Sequence, residues 1–561
     1  MKINKVPLLR GIQKKIFLNF FLLFVFLFLC FYFPLFKMLK EAFTTSTGSF
    51  TLNEFKKIFN GLYNLRVVAF TFKEAFISAF FTLIIGLPGA YIISHYKFKG
   101  KSFLVSLTTV PFILPSLLVA LGFIILFGDN GFLNKFLMDV FHFKQPFHIL
   151  YSFAAIILVH TFYNFPVVLR IIGAAWAGVS DKYEFAAKSL GAKPLEVFFK
   201  VTVPLLLPAI ISSFSLVFLY CFLSFSIILI IGGARFATIE VSIYTYYNMF
   251  SDFKMGSALA TFQALFSLLV IYTYLKVSDI VKTGDIEKSI ASAPSILSNK
   301  KTLFFSLIYL GLIFFLIIAP ILVVIVYAFL DPFSSRFTLE NFAKLFGTDY
   351  TYLLGTSFLR VTLNSFAFAL FTLLLSNLFA LLGSYGLKTN FKGKNLFVSI
   401  LMLPLAISPI TIALSFIIFF RSPINLMNTP IPILIAHTLL AFPFSLRALL
   451  PAVQSTSDSF VFASRSLGYS RVKSFFAVDL NLFKNVLITS SIFSFAISFG
   501  EFGATFMLYM PRFTTIPIAL YRFLSGRHYG EASALGSIFA VINIISFILI
   551  EKFHRGRENI I

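Results

Sequence analysis

Residues 183–210 read YEFAAKSLGAKPLEVFFKVTVPLLLPAI, a lysine-bearing stretch that turns at Gly191 and passes directly into apolar sequence at Val203. Ala186 and Ala187 suit the start of a short helix, and Gly191 supplies the left-handed or tight turn that ends it. Phe198 and Phe199 then open an apolar surface before Pro204 marks entry to the next segment. The pattern describes a short helix lying across the face of an apolar body, held at an angle to its own continuation.

That body is nearly everything else. Hydrophobic residues make up 58% of the 561, charged residues only 12%, and Phe alone accounts for 79; ordinary soluble chains carry roughly twice that share of charge. A soluble enzyme is excluded. Apolar segments at about 16–36, 67–94, 103–127, 149–172, 203–231, 257–274, 303–330, 359–387, 396–420, 431–450, 486–510 and 532–550 are each long enough to cross a bilayer as a helix. Twelve transmembrane helices are expected, the first retained rather than cleaved as a signal. Cys30 and Cys221 both fall inside these segments, without the spacing of a metal site or a disulfide scaffold, and read as packing residues.

The formal charge of +24 does not mark a nucleic-acid binder, because the bases occur as short clusters between apolar runs rather than as one basic face. Lys2, Lys5, Arg10, Lys14 and Lys15 precede the first span, and clusters at Lys97, Lys99 and Lys101, at Lys182 to Lys200, at Lys388 to Lys394 and at Lys552 to Arg557 fall on the same side. Both termini are therefore expected in the cytoplasm. Lys37, Lys40, Lys56, Lys57 and Arg512 lie on the other side, where acids such as Glu41, Glu54, Asp129, Asp331 and Asp349 also gather.

The chain repeats itself. FKGK at 98–101 recurs at 391–394, and Pro111 finds Pro404 at the same offset of 293. Further on, His160, Thr161, Phe165, Pro166 and Arg170 match His437, Thr438, Phe442, Pro443 and Arg447 at an offset of 277. Ser189, Leu190 and Gly191 match Ser466, Leu467 and Gly468 at that offset, as do Arg235, Phe236 and Tyr244 with Arg512, Phe513 and Tyr521. Two six-helix units are expected, 1–276 and 301–561, joined by a polar cytoplasmic linker at 277–300. Six is even, so the units run parallel about an axis along the membrane normal.

The quoted loop resembles the coupling loop of the inner-membrane permeases of binding-protein-dependent ABC importers: a Glu-Ala-Ala start, a Gly some residues later and a Leu-Pro-like end. Glu184 stands one position early, Phe185 takes the usual acid's place, Ala186 and Ala187 supply the alanines, Gly191 and Ala192 the turn, and Val203 and Pro204 the end. The second copy is degenerate, with Phe462, Ala463 and Ser464 at the start, Gly468 and Tyr469 at the turn, and Leu480 and Asn481 at the end. If the better-matching first loop is also the better coupler, a bulky β-branched residue at Gly191 is expected to uncouple transport more severely than one at Gly468.

The resemblance implies an all-α, MetI-like permease architecture in a prokaryotic inner membrane, working with two cytoplasmic ABC ATPase subunits and an extracytoplasmic solute-binding protein. No GxxxxGK[ST] phosphate loop exists in the chain, so ATP and Mg belong to the partner subunits and the chain itself is not an enzyme. A fused pair of units resembles ferric-iron and thiamine importers; family frequency puts iron(III) first, with thiamine or sulfate/molybdate as alternatives. An ATPase-independent secondary transporter is the rival class.

Glu501, in SFGEFGATFML, is an acid beside apolar sequence and is a candidate for the translocation path, with an internal helix cap or a pair within the bundle as the alternatives. Gly500 and Gly503 predict an interrupted helix around it. Asn164, Ser224 and Ser226 are further candidate solute contacts. The pair His160 and His437, without nearby Cys or carboxylate partners in the sequence, reads as interhelical hydrogen bonding rather than as a metal site. Pro111, Pro115, Pro404 and Pro409 are expected to kink or start helices.

Overall fold

The computed structural model describes residues 21–108, 114–180, 182–283, 295–298, 300–331, 336–348, 350–388, 391–421 and 425–555. The amino-terminal basic cluster, Pro111, Asp349, Arg557 and half of the 277–300 stretch lie outside them. Among the described residues every regular element is helical, and the β pairing is confined to three isolated bridges. The principal helices are α1 (Phe21–Ala42), α2 (Leu62–His95), α3 (Ser116–Phe127), α4 (Phe153–Gly178), α5 (Lys182–Ser189), α6 (Val203–Phe222), α7 (Ile239–Asn248) and α8 (Phe253–Thr283). The second half contributes α9 (Lys300–Ala328), α10 (Phe358–Gly386), α11 (Pro409–Phe419), α12 (Ile431–Ser455), α13 (Asp458–Ser466), α14 (Lys484–Phe499), α15 (Gly503–Leu508), α16 (Ile516–Ser525) and α17 (Tyr529–Arg555).

Among the described residues ten helices are long and apolar enough to cross a membrane, or up to twelve if each of two bent pairs is one span. The bent pairs correct the expected continuous spans. Lys394–Ala406 and Pro409–Phe419 meet at 91°, because Pro409 has no N–H to continue a helix and Ser408 caps the new one by accepting the Thr411 N–H at 3.0 Å. Val472–Leu482 and Lys484–Phe499 meet at 80°. The expected spans 203–231 and 486–510 are also displaced: the long apolar segments begin earlier, at Pro194 and Val472, and stop at Phe222 and Phe499. The interruption anticipated around Glu501 is present between Phe499 and Gly503, and Leu223 to Phe225 interrupt the first half at the matching place.

The repeat is visible in the packing. α2 lies on α4 with α6 against both, and α10 lies on α12 with α14 against both. The first spans are exchanged: α1 packs on α11 of the second half as well as on α8, and α9 packs on α3 of the first half as well as on α17. Phe26 stacks on Phe379 with centroids 3.9 Å apart, and the Tyr32 hydroxyl donates to the Ile400 carbonyl at 2.8 Å. In the reciprocal contact the Tyr309 hydroxyl donates to the Ile85 carbonyl at 2.6 Å, and a Cβ on Gly122 would stand 2.4 Å from the Pro320 carbonyl oxygen. Only glycine permits that approach of α3 to α9. Lipid is as apolar as a side chain, so close approach and interhelical hydrogen bonds of this kind hold such bundles together.

The repeat extends to a further pair of segments. TLNEFKKIF at 51–59 recurs as TLENFAKLF at 338–346. Each copy forms a turn and a short helix, with the Thr51 and Thr338 hydroxyls accepting the N–H of Asn53 and Glu340 at 3.1 and 3.0 Å. Hydrogen bonds to Glu54 and Glu340 hold the Lys57 and Lys344 ammonium groups above the ordinary lysine value. Phe43 stacks on Phe50 and Phe329 on Phe337 in the same way, at 5.9 and 5.7 Å.

Candidate functional site

The two copies of the quoted loop have one geometry. α5 and α13 each end in a glycine of positive φ, 85° at Gly191 and 90° at Gly468. The N–H groups of Gly191 and Ala192 return to the carbonyls of Lys188 and Ala187, and those of Gly468 and Tyr469 to Arg465 and Ser464, at 3.0 to 3.2 Å. This is the same C-terminal cap twice. Ala186 and Ala187 lie in the middle of α5 rather than at its start; Ala186 and Ala463 face outward, while Ala187 and Ser464 turn inward. Pro204 follows the π-helical turn Phe198–Thr202, through which the helix begun at Pro194 runs on into α6.

Large apolar side chains protrude at matching positions. Phe185 and Phe462 are 64% and 52% exposed, Leu190 and Leu467 88% and 80%, and Leu195 with Val472 and Phe199 with Phe476 follow the pattern. Glu184 does not join them. It folds back to accept the Thr202 hydroxyl at 3.0 Å and to lie 3.5 Å from Lys188 Nζ. The second loop is tied instead by the Ser464 hydroxyl donating to Ser474 at 2.8 Å.

Inside the bundle each repeat buries a histidine against a carboxylate, and the two halves take the carboxylate from opposite sides. His160 Nδ1 meets Glu74 Oε1 of α2, and Ser78 Oγ donates to the same oxygen at 2.8 Å. A carboxylate only accepts, so the ring proton sits on Nδ1 and Nε2 takes the Ser224 hydroxyl at 2.9 Å. In the second half Ser224 is replaced, 277 residues on, by Glu501, and the place of Glu74 on α10 is taken by Phe368, whose ring centroid lies 5.8 Å from that of His437. His437 Nε2 now faces Glu501 Oε2 at 3.2 Å and Nδ1 faces Ser498 Oγ at 2.7 Å, which inverts the tautomer. Glu501 also caps α15, accepting the N–H groups of Ala504 and Thr505 at 2.7 and 2.9 Å.

The histidines are therefore interhelical hydrogen-bonding groups, as expected, but they do not lack partners. Glu74 and Cys221 both come within 4.8 Å of His160 donor atoms; the sequence separates them by so many residues that no spacing rule brings them together. Asn164 is buried beside them and donates to the His160 carbonyl at 3.0 Å.

Where the two halves meet, Phe225 and Phe502 stack with centroids 6.0 Å apart. Phe506 joins Tyr244 at 5.1 Å and Tyr521 at 4.7 Å, and Phe502 lies 5.4 Å from Tyr521. Phe225 and Phe502, like Tyr244 and Tyr521, are equivalent positions of the repeat, so this aromatic seal straddles its axis. Ser224 and Ser226 flank Phe225, and Glu501 precedes Phe502. The candidate residues thus border the seal, while the rings that form it went unread. The offset of 277 that pairs Tyr244 with Tyr521 would have found Phe225 and Phe502 as well. Glu240, fully buried on α7, is a further acid that sequence reasoning passed over.

A family model described as a binding-protein-dependent transport system inner membrane component matches residues 82–279 and again 376–559. The thiamine transport system permease protein ThiP of Brucella abortus (strain 2308) is 24% identical over 500 residues, covering 88% of this chain and 89% of that protein. The ferric transport system permease protein FbpB of Actinobacillus pleuropneumoniae is 26% identical over 480 residues, covering 83% of this chain and 67% of that protein. A putative 2-aminoethylphosphonate transport system permease protein, PhnU of Salmonella typhi, is 28% identical over 239 residues, covering 42% and 83%.

Proposed function

The chain belongs to the family of binding-protein-dependent transport system inner membrane components, and from that premise we propose how its parts serve import and what it carries. It is a permease subunit of an ABC importer, a transport domain rather than a catalytic one. In our reading residues 1–276 and 301–561 are two parallel six-helix units joined at 277–300, with both termini cytoplasmic. The exposed apolar residues of α5 and α13 dock two ATPase subunits, and a solute-binding protein presents cargo at the opposite end. The observation that carries this is the pair of identically capped loops, each holding Phe, Leu and Phe side chains away from the bundle. ATP-driven closure of the ATPase pair tilts the units, and the Phe225–Phe502 contact parts on the axis to open the route.

For the cargo, a thiamine-class organic cation stands ahead of the iron(III) that the sequence put first. The thiamine relatives match along nearly their whole length, the ferric one along about two thirds. The seal is built of Phe and Tyr rings, surfaces suited to a flat heteroaromatic cation, whereas ferric ion calls for hard oxygen donors. Glu74 and Glu501 are already engaged by histidines.

Reconstitution with the cognate ATPase and binding protein tests both levels. Thiamine is expected to stimulate ATP hydrolysis and enter the vesicles, with ferric, sulfate and molybdate salts inactive. Stimulation by a ferric salt alone would reverse the cargo, and transport without any ATPase would overturn the class.

A further inference from the structure

Among the described residues, Glu74 of α2, His160 of α4 and Cys221 of α6 each bring one donor atom to within 4.8 Å of the others, and all three side chains are buried. A carboxylate oxygen, an imidazole nitrogen and a sulfur gathered at one point form a set of metal ligands. Part of their capacity is unused. Glu74 Oε2 has no hydrogen-bond partner, and neither has Asn164 Oδ1, on a side chain whose amide donates to Cys221 Sγ at 3.4 Å. Buried acceptors normally find a donor; here acceptors outnumber donors, an imbalance that a cation removes.

The surroundings indicate which cation. The Ser78 hydroxyl donates to Glu74 Oε1 at 2.8 Å, and His160 Nε2 meets Ser224 Oγ at 2.9 Å; contacts of this kind orient the carboxylate and imidazole ligands of metal sites. A carboxylate and a thiolate together cancel a divalent charge, so the complex leaves no net charge among apolar helices, where one is costly. Sulfur and nitrogen beside a single carboxylate suit zinc, and not magnesium, calcium or ferric ion. The second half has no such set. Ser498 stands 277 residues after Cys221, and Phe368 takes the place of Glu74, so His437 keeps neither ligand.

We propose that Glu74, His160 and Cys221 hold one structural zinc ion, with Asn164 Oδ1 as the fourth ligand, and that the ion clamps α2, α4 and α6 together in the first half alone. On binding, zinc takes the Nδ1 lone pair, the ring proton moves to Nε2, where Ser224 Oγ accepts it, and the Cys221 thiol gives up its proton to solvent. The ligands are enclosed in the folded bundle, so the ion enters while the three helices pack and its binding contributes to folding. Cys221 lies in the last turn of α6, directly before the break that carries Phe225. The clamp therefore fixes the root of one ring of the seal and leaves that of Phe502 unclamped. The site stands whichever solute the permease carries.

Full-length protein purified without chelator from zinc-replete cells, its affinity tag removed, should contain close to one zinc per chain by elemental analysis. Cys221→Ser installs the residue that the second half already carries against its own histidine, a layout the fold accepts, and should reduce the zinc to background. Cys30→Ser, at the other of the two cysteines, should leave it unchanged. Protein from cells grown on cobalt should show a near-ultraviolet thiolate-to-cobalt charge-transfer band, kept in Cys30→Ser and lost in Cys221→Ser. Background zinc in the wild-type protein together with no cobalt band would overturn the site, and so would full zinc content in Cys221→Ser. A different metal in stoichiometric amount, lost with Cys221, would overturn the assignment to zinc.

Discussion

Phe225 and Phe502 stand 277 residues apart in sequence and stack on each other in space, ring centroids 6.0 Å apart and planes inclined by 22°. Equivalent positions of a repeat can meet in this way only on its symmetry axis. Two rings in contact there fill the axis at that level.

Replacing both rings by Ala should therefore make the resting protein leaky. Proteoliposomes loaded with cargo and lacking ATP are expected to lose it several-fold faster with the Phe225→Ala, Phe502→Ala pair than with the wild-type chain. Unchanged efflux would place the barrier elsewhere.

The exchanged positions of the two buried carboxylates predict sign epistasis. Glu74→Phe strands the His160 proton and should cost about 1–3 kcal/mol of stability; Ser224→Glu alone crowds two carboxylates onto one ring and should also destabilise. Combined, they rebuild the layout of the second half around His437, and the double variant should melt well above either single one. Additive losses in thermal denaturation would refute the equivalence.

Phe185 and Phe462 make few contacts within the chain. Changing either to Ala should leave thermal stability within about 0.5 kcal/mol while weakening association with the ATPase subunit by about tenfold, as measured by titrating one purified component with the other. A fall in melting temperature without loss of association would show them to be structural.

Gly191 and Gly468 share a left-handed backbone and open space around the missing Cβ. The sequence ranks Gly191 as the more sensitive, but the geometry gives no ground for a ranking. β-Branched substitution at either should cost about 1–2 kcal/mol locally and reduce transport per ATP hydrolysed to a similar extent, with Asn tolerated better than Val at both.

The helical class, the repeat and the loops were legible because each rests on local properties: uninterrupted apolar runs, a constant offset, and glycine at a turn. Spans 5 and 11 were misplaced because the breaks at Leu223 to Phe225 and Gly500 to Phe502 are only three residues long, too short for average hydropathy to end a span there, although Gly500 and Gly503 marked the second of them. The seal and the histidine pairs depend on tertiary neighbours; Glu74 reaches His160 only because α2 packs on α4, and a phenylalanine among 79 carries no mark of its own. The asymmetry of the halves was half visible, since Ser224 against Glu501 could be read off the register, whereas Glu74 against Phe368 needed an offset one residue longer than the 293 given by the flanking loop.

The reciprocal placement of α1 and α9 also sets an order of events during synthesis. α1 leaves the ribosome early, yet α11, against which it finally rests, follows only after several hundred further residues, a delay on the order of half a minute at about 5–20 residues per second. Through that interval the first span must wait in lipid without its final neighbour. Carrying both halves on one chain guarantees that the neighbour arrives tethered, in equal number and at high local concentration.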